Sequence, residues 1–496
     1  MADFDIAIIG GGINGAGIAR DAAGRGLKVL LAEMNDLGSG TSSASTKLIH
    51  GGLRYLEHGA FRLVREALTE REVLLRMAPH VIRPMRFMLP PKSGLRAPLK
   101  LRFGLWLYDR LGARKLLPPT RSVDLTHHPV GQPLQRSFRY GFEYSDCRVD
   151  DARLVLLTAL SARECGADIR THTKVTRTER RAEDWELVLN NRGRRQVATA
   201  RVLVNAAGPW IREVADTILR TPLAKPVRLV KGSHIVVRRR FEHDTGYILQ
   251  ADDGRVVFAL PFADDFTMIG TTDEKFVGDV NTPAPDAREI LYLCEVFNQY
   301  FRDKVTPDEL AWSFCGVRAL ADDGSDRPED VTRDYELVLE KPFRQAPLLT
   351  VYGGKITTYR RLAEAAVAKI GPFFTTRGPW TAASHLPGGD FAPEDFYDQV
   401  AAAIARWPFL SEPQARRMVR AYGTRIAMIL GEAHTLDDLG PRLTADLTGA
   451  ELRYLVEQEW AETADDVLWR RTRLGLKASA DERIAINQFI VSLGAR

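Results

Sequence analysis

The first 33 residues hold a strand, a glycine-rich turn, a helix and a second strand in immediate succession, and no other feature constrains the fold as tightly. Ile6-Ala7-Ile8-Ile9 is a short apolar run, the length of a parallel strand buried on both faces. Gly10, Gly12 and Gly15 follow in GxGxxG spacing, and Ile13 to Gly24 reads as a helix of small residues. Lys28 to Ala32 is the second strand and ends in Glu33, 18 residues after Gly15. In this arrangement the first glycine makes the tight turn and the second lets backbone N–H groups approach a pyrophosphate. The third lets helix and strand pack closely. The helix N-terminus adds positive potential for the phosphates, and Glu33 can accept from ribose hydroxyls while repelling a 2′-phosphate. A dinucleotide is the expected ligand; the competing reading is a glycine turn with a purely structural role.

Three further segments favour a flavin over a nicotinamide. A Gly/Ser/Thr/Ala loop, Gly38 to Thr46, follows soon after Glu33, where a long extended cofactor needs polar donors. Asn205-Ala206-Ala207-Gly208-Pro209-Trp210 ends a late buried strand in a glycine turn. Gly353-Gly354-Lys355-Ile356-Thr357 opens a helix that runs to Ile370, and such an N-terminus stabilises negative charge at the edge of a reduced isoalloxazine. Convergence of three distant segments on one cofactor is the habit of an FAD protein.

The 496 residues exceed one ordinary domain. Short β-like runs between 225 and 350 suggest a mixed or antiparallel sheet on the substrate side. HLPGGDFAP reads as a linker, which sets a boundary near 385, and Thr448-x-x-Glu451 beyond it resembles a capping box. The four cysteines are far apart without CxxC spacing, so neither a metal site nor a disulfide framework is expected. No apolar run reaches the ~18–20 residues of a membrane span, and the N-terminus lacks the basic region of a signal peptide. The net charge of +5 decides little by itself. It is concentrated in residues 61–120, with 13 Lys or Arg against 4 Asp or Glu. Within that stretch 95–111 interleaves cations with Leu, Phe, Trp and Tyr, the composition of an interfacial helix, although Pro98 and Gly104 interrupt the helical spacing. The alternative is a surface helix packed on its own protein.

Several blocks together resemble the FAD-dependent, quinone-linked glycerol-3-phosphate dehydrogenase family. They are Gly38 to Leu56 (GSGTSSASTKLIHGGLRYL), Asn205 to Trp210, Lys231-Gly-Ser-His234, Ile269-Gly-Thr-Thr-Asp273, Gly316-Val-Arg318, Ser325-Asp326-Arg327, Thr332-Arg333-Asp334 and Tyr352 to Arg360. The resemblance implies an α/β fold: a Rossmann-like FAD-binding domain of the glutathione-reductase/D-amino-acid-oxidase type, an interleaved mixed-sheet substrate domain and a C-terminal all-α cap. The expected segments are 1–75, 145–225 and 340–372 for FAD, 76–144 and 226–339 for substrate, and 385–496 for the cap. It places the cofactor on Gly10, Gly12, Asn14, Gly15 and Glu33. The path continues along Thr41, Ser42, Ser45, Lys47, Leu48, His50 and Gly51, and along Val175, Ala207, Gly208, Trp210, Gly354, Lys355, Ile356 and Thr357. It implies a substrate pocket of Arg54, Tyr55, His234, Thr271, Arg318, Arg333 and Lys355.

The chemistry asks for those residue types. A phosphate dianion held away from water calls for Arg forks that match its oxygens, so Arg318 and Arg333 are the candidate phosphate binders, with Arg54 and Lys355 nearer the flavin. Oxidation of the C2 alcohol sends a hydride to flavin N5 while a base takes the hydroxyl proton. His234 has the suitable unperturbed pKa, Lys355 is a second candidate and an arginine such as Arg318 a third. The resemblance further implies glycerol 3-phosphate as substrate, a membrane quinone as acceptor, peripheral attachment at the inner face of the cytoplasmic membrane, and leaves room for a homodimer. Rival readings are a glycerol-3-phosphate oxidase releasing peroxide, and a flavoenzyme of amino or hydroxy acids, which would not need the paired arginines. A nucleic-acid-binding flavoprotein is a third, but the basic segment carries no recognisable binding module.

Overall fold

The computed structural model describes residues 2–56, 59–91, 98–112, 116–322, 324 and 334–494. Strands with long apolar runs must be covered on both faces, and five parallel strands, buried most fully at Val29–Ala32 and Leu348–Tyr352, form the centre of the first sheet. In order across it stand Leu348–Tyr352, Arg194–Asn205, Phe4–Ile9, Val29–Ala32 and Asp168–Arg170. Glu336–Glu340 adds antiparallel at one edge, and Thr173–Arg180 with Trp185–Asn191 continues Arg194–Asn205 as an antiparallel ribbon. The helix Ile13–Gly24 lies against this sheet and between two others, Asp151–Glu164 and Tyr359–Ile370. Its small residues are what allow this. A Cβ at Gly17 would stand 2.9 Å from the Tyr359 ring, so a larger residue would push the helices apart.

The second sheet is mixed, as the short β-like runs suggest. It runs Glu274–Lys275, Val227–Arg238, Phe266–Gly270, Val256–Phe262, Gly246–Gln250, Ile82–Leu89, Tyr140–Val149 and Leu48–Ile49, with Leu310–Ala321 paired to Val227–Arg238. Only the contact of Gly246–Gln250 with Ile82–Leu89 is parallel among these pairs. Ala287–Tyr300 covers one face, started by a reciprocal capping box between Asp286 and Glu289. The other face meets the helices Phe61–Met77 and Pro98–Leu111. Tyr140–Val149 crosses the segment boundary expected at 144/145, and Leu48–Ile49, inside the first expected FAD segment, pairs into this second sheet.

Pro98 and Gly104 do not interrupt the basic-aromatic helix, which is continuous from Pro98 to Leu111. Proline at the first helical position gives up an N–H with no partner to lose, and an internal glycine costs only about 1 kcal/mol. The expected capping box at Thr448 is half formed. Thr448 Oγ1 accepts from the Glu451 N–H at 3.4 Å. The Glu451 carboxylate is instead taken by Arg417 at 2.8 Å and by the Tyr422 hydroxyl at 2.6 Å.

The C-terminal helices close on a core of their own from Phe391 to Ile490. They are held to the helix Asp151–Glu164 by a fully buried bidentate pair, Arg153 with Glu459. Removing one member of such a pair costs about 3–5 kcal/mol, because the other charge stays buried. His80 is buried beside this junction, its ring 6.4 Å from Phe391 and neither ring nitrogen bonded among the described residues. Burial pushes its pKa down to about 3, helped by Arg153 and Arg425. The unfolded chain, with an ordinary histidine pKa near ~6.5, therefore takes up a proton that the folded chain refuses between those values. Stability is full above about pH 6.5 and falls as the pH drops. Denaturant unfolding of His80→Leu is expected to lose about 1.4 kcal/mol less per pH unit than the parent between pH 6 and 4; equal slopes would show that His80 is not the group responsible.

Candidate active site

Three turns meet where the two sheets face each other, enclosing a cavity of about 830 Å3. That lies toward the upper end of the ~300–1,000 Å3 usual for small-molecule sites. The first turn follows the strand Phe4–Ile9, the second follows Arg194–Asn205, and the third follows Leu348–Tyr352. All three stand at the C-terminal ends of parallel strands, where open α/β sheets bind their ligands.

The first and second turns touch through backbone. Gly10 has φ 109°, and a Cβ there would stand 2.6 Å from Ala206 O; a Cβ on Gly15 would collide with Gly10 O. Asn14, in the first turn of the helix, donates from Nδ2 to Gly353 O at 3.1 Å and so ties the first turn to the third. Its Oδ1 is a buried acceptor without a partner among the described residues. Ser42 Oγ accepts from the Ile13 N–H at 3.0 Å, laying the polar loop along the helix start. Glu33 accepts from the N–H groups of Gly11 at 2.6 Å and Asn35 at 2.8 Å. Burial raises its carboxyl above the ordinary value, against the pull of those donors.

Most of the residues expected to bind cofactor line this cavity. Gly10, Gly12, Asn14 and Glu33 do so at one end. Thr41, Ser42, Ser45, Leu48 and His50 follow along one wall, and Val175, Ala207, Gly208 and Trp210 along another. Gly354, Lys355, Ile356 and Thr357 close the far side. Gly15, Lys47 and Gly51 stand behind the wall. Gly15 is the helix–strand spacer, Gly51 donates its N–H to the Tyr108 hydroxyl at 2.8 Å, and Lys47 is buried against Asp151 at 2.8 Å.

Of the expected substrate residues, Tyr55, Thr271, Arg318 and Lys355 line the cavity. Lys355 Nζ lies 3.7 Å above the Tyr55 ring, and Arg318 donates to Asp273 at 2.8 Å. Arg333 and the side chain of Arg54 lie outside the described residues. Arg318 and Thr271 depend on a glycine: a Cβ at Gly232 would stand 2.6 Å from Thr271 Oγ1 and 2.7 Å from Arg318 Nη2.

His234 is fully buried and does not line the cavity. Its ring stacks on Phe314 at 4.8 Å, and Nε2 shares a hydrogen bond with Thr46 Oγ1 at 3.0 Å; Thr46 does line the cavity. Burial holds the imidazole well below its ordinary pKa, with repulsion from Lys47 and Arg318 adding to it. It is neutral at physiological pH and communicates with the cavity through the threonine hydroxyl. Sequence reasoning did not single out Thr46, Asp273, Phe314 or Asp151. Thr46 and Asp273 sat inside quoted motifs, so adjacency was the available signal; Phe314 and Asp151 gave none.

The residues present fit a flavin dinucleotide. Bare backbone stands where a pyrophosphate needs N–H groups, an unpartnered acceptor faces the third turn, and a lysine sits beside a helix start. Family comparison agrees. Residues 5–360 match the model described as FAD dependent oxidoreductase, and 380–494 match that of the C-terminal domain of alpha-glycerophosphate oxidase. The aerobic glycerol-3-phosphate dehydrogenase of Escherichia coli is 48% identical, covering 99% of this chain and 98% of that one. The D-erythritol 1-phosphate dehydrogenase of Brucella abortus is 47% identical, covering 97% and 96%. The glycerol-3-phosphate dehydrogenase of Bacillus halodurans, solved with FAD, superposes with a TM-score of 0.76 at 26% identity, over 100% of this chain and 96% of that one. Gly15→Ala is expected to overpack the turn by about 1–3 kcal/mol, so that the purified protein carries visibly less flavin per chain. A flavin-to-protein absorbance ratio equal to the parent's would contradict the cradle.

Proposed function

Because the chain belongs to the FAD-dependent glycerol-3-phosphate dehydrogenase family, we propose that it oxidises sn-glycerol 3-phosphate to dihydroxyacetone phosphate and passes the electrons to a membrane quinone. The observation that carries this reading is the pairing of Arg318 and Lys355 on the wall of one cavity with the three-turn cradle. Gly10, Gly12, Asn14 and the Lys355–Thr357 turn hold the FAD, and Glu33 takes the ribose. The bound flavin supplies a hydride acceptor at N5 for the substrate C2.

The remaining work falls to this chain's side chains. Arg318 and Lys355 bind the phosphorylated substrate, a role that the family resemblance also gives to Arg54 and Arg333; a guanidinium fork matches phosphate oxygens two at a time. Asp273 fixes the Arg318 fork from behind. The hydroxyl proton leaves toward Thr46, whose hydroxyl is already bonded to the neutral His234 ring. The neutral imidazole orients that hydroxyl through the bond, while its burial beside Lys47 and Arg318 opposes a positive charge on the ring.

The acceptor reading rests on the lining of the cavity and on one helix. Part of the cavity wall is apolar, with Leu53, Leu63, Leu89, Leu101, Ile248 and Phe258 among its residues. Leu101 belongs to Pro98–Leu111, which buries Leu105 and Tyr108 and exposes Phe103 and Trp106, 63% and 47% respectively. These two rings stack at 5.7 Å, and Arg110 lies over Trp106 at 4.2 Å. Exposed aromatics flanked by cations suit the headgroup boundary of an anionic bilayer, and among the described residues no helix is long and apolar enough to cross one. The enzyme docks peripherally on the inner face of the cytoplasmic membrane through this helix, whose Leu101 also lines the cavity that the quinone must reach. A homodimer would have to leave this helix free.

Turnover of glycerol 3-phosphate should exceed that of a four-carbon polyol phosphate and of glycerol itself, with a quinone analogue reduced and little peroxide formed. Preference for the four-carbon substrate would move the chain to the erythritol-phosphate branch, and stoichiometric peroxide would make it an oxidase. Phe103→Ser with Trp106→Ser is expected to lower quinone reduction on anionic vesicles about a hundred-fold or more, since the two rings together withdraw about 3 kcal/mol or more of burial, while a soluble dye acceptor is reduced at the parent rate. An equal loss with both acceptors would reject the docking role.

A further inference from the structure

The C-terminal helical domain meets the rest of the chain at several places, among them Arg153–Glu459, Glu164–Arg425 and Arg192–Glu462, and at one short segment, Trp469 to Arg473. That segment touches three separate parts of the flavin site's support.

Arg470 and Arg471 both bind the Asp36 carboxylate, and Arg471 Nη2 reaches Asp36 Oδ1 at 2.8 Å. Asp36 lies three residues after Glu33. Its burial pushes the carboxyl up, but the two arginines outweigh this and hold it below the ordinary value. Arg473 Nη2 donates to Asp150 at 2.7 Å and to Asp151 at 2.9 Å. Asp151 in turn accepts from Lys47 Nζ at 2.8 Å and from Ser45 Oγ at 2.8 Å, while Lys47 Nζ also donates to Ser43 O at 2.8 Å. One carboxylate thus holds both the cofactor loop and the C-terminal domain. Lys47 and Arg473 share a further property: each has φ 60°, a left-handed backbone that a side-chain-bearing residue keeps only when its surroundings fix it. Finally, Trp469 stacks on Trp312 at 4.5 Å, Trp312 on Phe314 at 4.6 Å, and Phe314 on His234 at 4.8 Å. This row of rings ends on the imidazole bonded to Thr46.

We propose that the C-terminal domain is a positioning element of the flavin site: through Trp469–Arg473 it fixes the 41–47 loop, the Glu33–Asp36 turn and the His234 ring. A domain that merely added stability would need none of these three contacts to converge on groups around the cofactor. Arg470, Arg471, Arg473 and Trp469 act through other residues and touch no reacting atom. The inference goes beyond the choice of substrate and acceptor, and holds whichever polyol phosphate is oxidised.

Coupling of this kind is reciprocal, so it is testable in the unaltered protein. Stripping FAD from the wild-type chain should raise amide hydrogen exchange in 466–474, while the helix Phe396–Arg406 in the same domain keeps its protection. Unchanged exchange in 466–474 would overturn the proposal. Arg473→Met and Trp469→Ala should weaken FAD binding by about ten-fold or more, the size expected for contacting networks. They should also alter the visible circular dichroism of the flavin that remains, and Arg473→Lys should restore part of both. Arg417→Met, which breaks the Arg417–Glu451 pair inside the C-terminal core, is the control. It lowers the melting temperature but should leave FAD affinity and flavin dichroism as in the parent. If Arg417→Met loosens FAD as much as Arg473→Met does, the domain is only a stabiliser and the proposal fails.

Discussion

Backbone meets backbone between Gly10 and Ala206, and everything the molecule does follows from that contact. A Cβ at Gly10 would stand 2.6 Å from Ala206 O, so the turn after the first strand and the turn after Arg194–Asn205 close up only because no side chain separates them. The approach leaves the bare backbone of Gly10 and Gly12 lining a shared space instead of a wall of methyl groups. Asn14 then bridges to Gly353 and brings in the third turn with its lysine. A long anionic cofactor can be gripped at several points along its length while each strand remains in an ordinary parallel sheet.

The second sheet supplies what the cradle lacks. Long antiparallel strands, Val227–Arg238 and Leu310–Ala321, carry His234 and Arg318 in fixed register, His234 opposite Phe314 and Val230 opposite Arg318. Gly232 leaves room for the Arg318 fork beside Thr271. The Arg318 charge is therefore placed by a strand rather than by a loop, which keeps the fork in position without a substrate present.

Much of this was legible in the residues. The strand–glycine–helix–strand unit announces itself because each element needs its neighbours' chemistry, and the Gly353 to Thr357 and Asn205 to Trp210 turns carry the same signature. The helix Pro98–Leu111 was harder, since proline and glycine read as breaks until the helix start is known to fall on Pro98 itself. Tertiary partners left no trace at all. Asp151 looks like any acid at a helix start, yet it joins Lys47, Ser45 and Arg473, which is 322 residues away. His234 reads as a base exposed to substrate, and the structure puts it behind Thr46, because burial depends on the strands that stack against it. The C-terminal domain's attachment was equally invisible, as ion pairs between distant segments have no local pattern.

The central claim is that a cationic wall holds a phosphorylated polyol with its secondary carbon facing the flavin. Anaerobic mixing of the purified holoprotein with glycerol 3-phosphate, followed by flavin absorbance, tests it directly. The account requires rapid bleaching of the oxidised flavin band by the phosphorylated polyol and none by glycerol at the same concentration. Equal bleaching by both, or bleaching by neither, would contradict it.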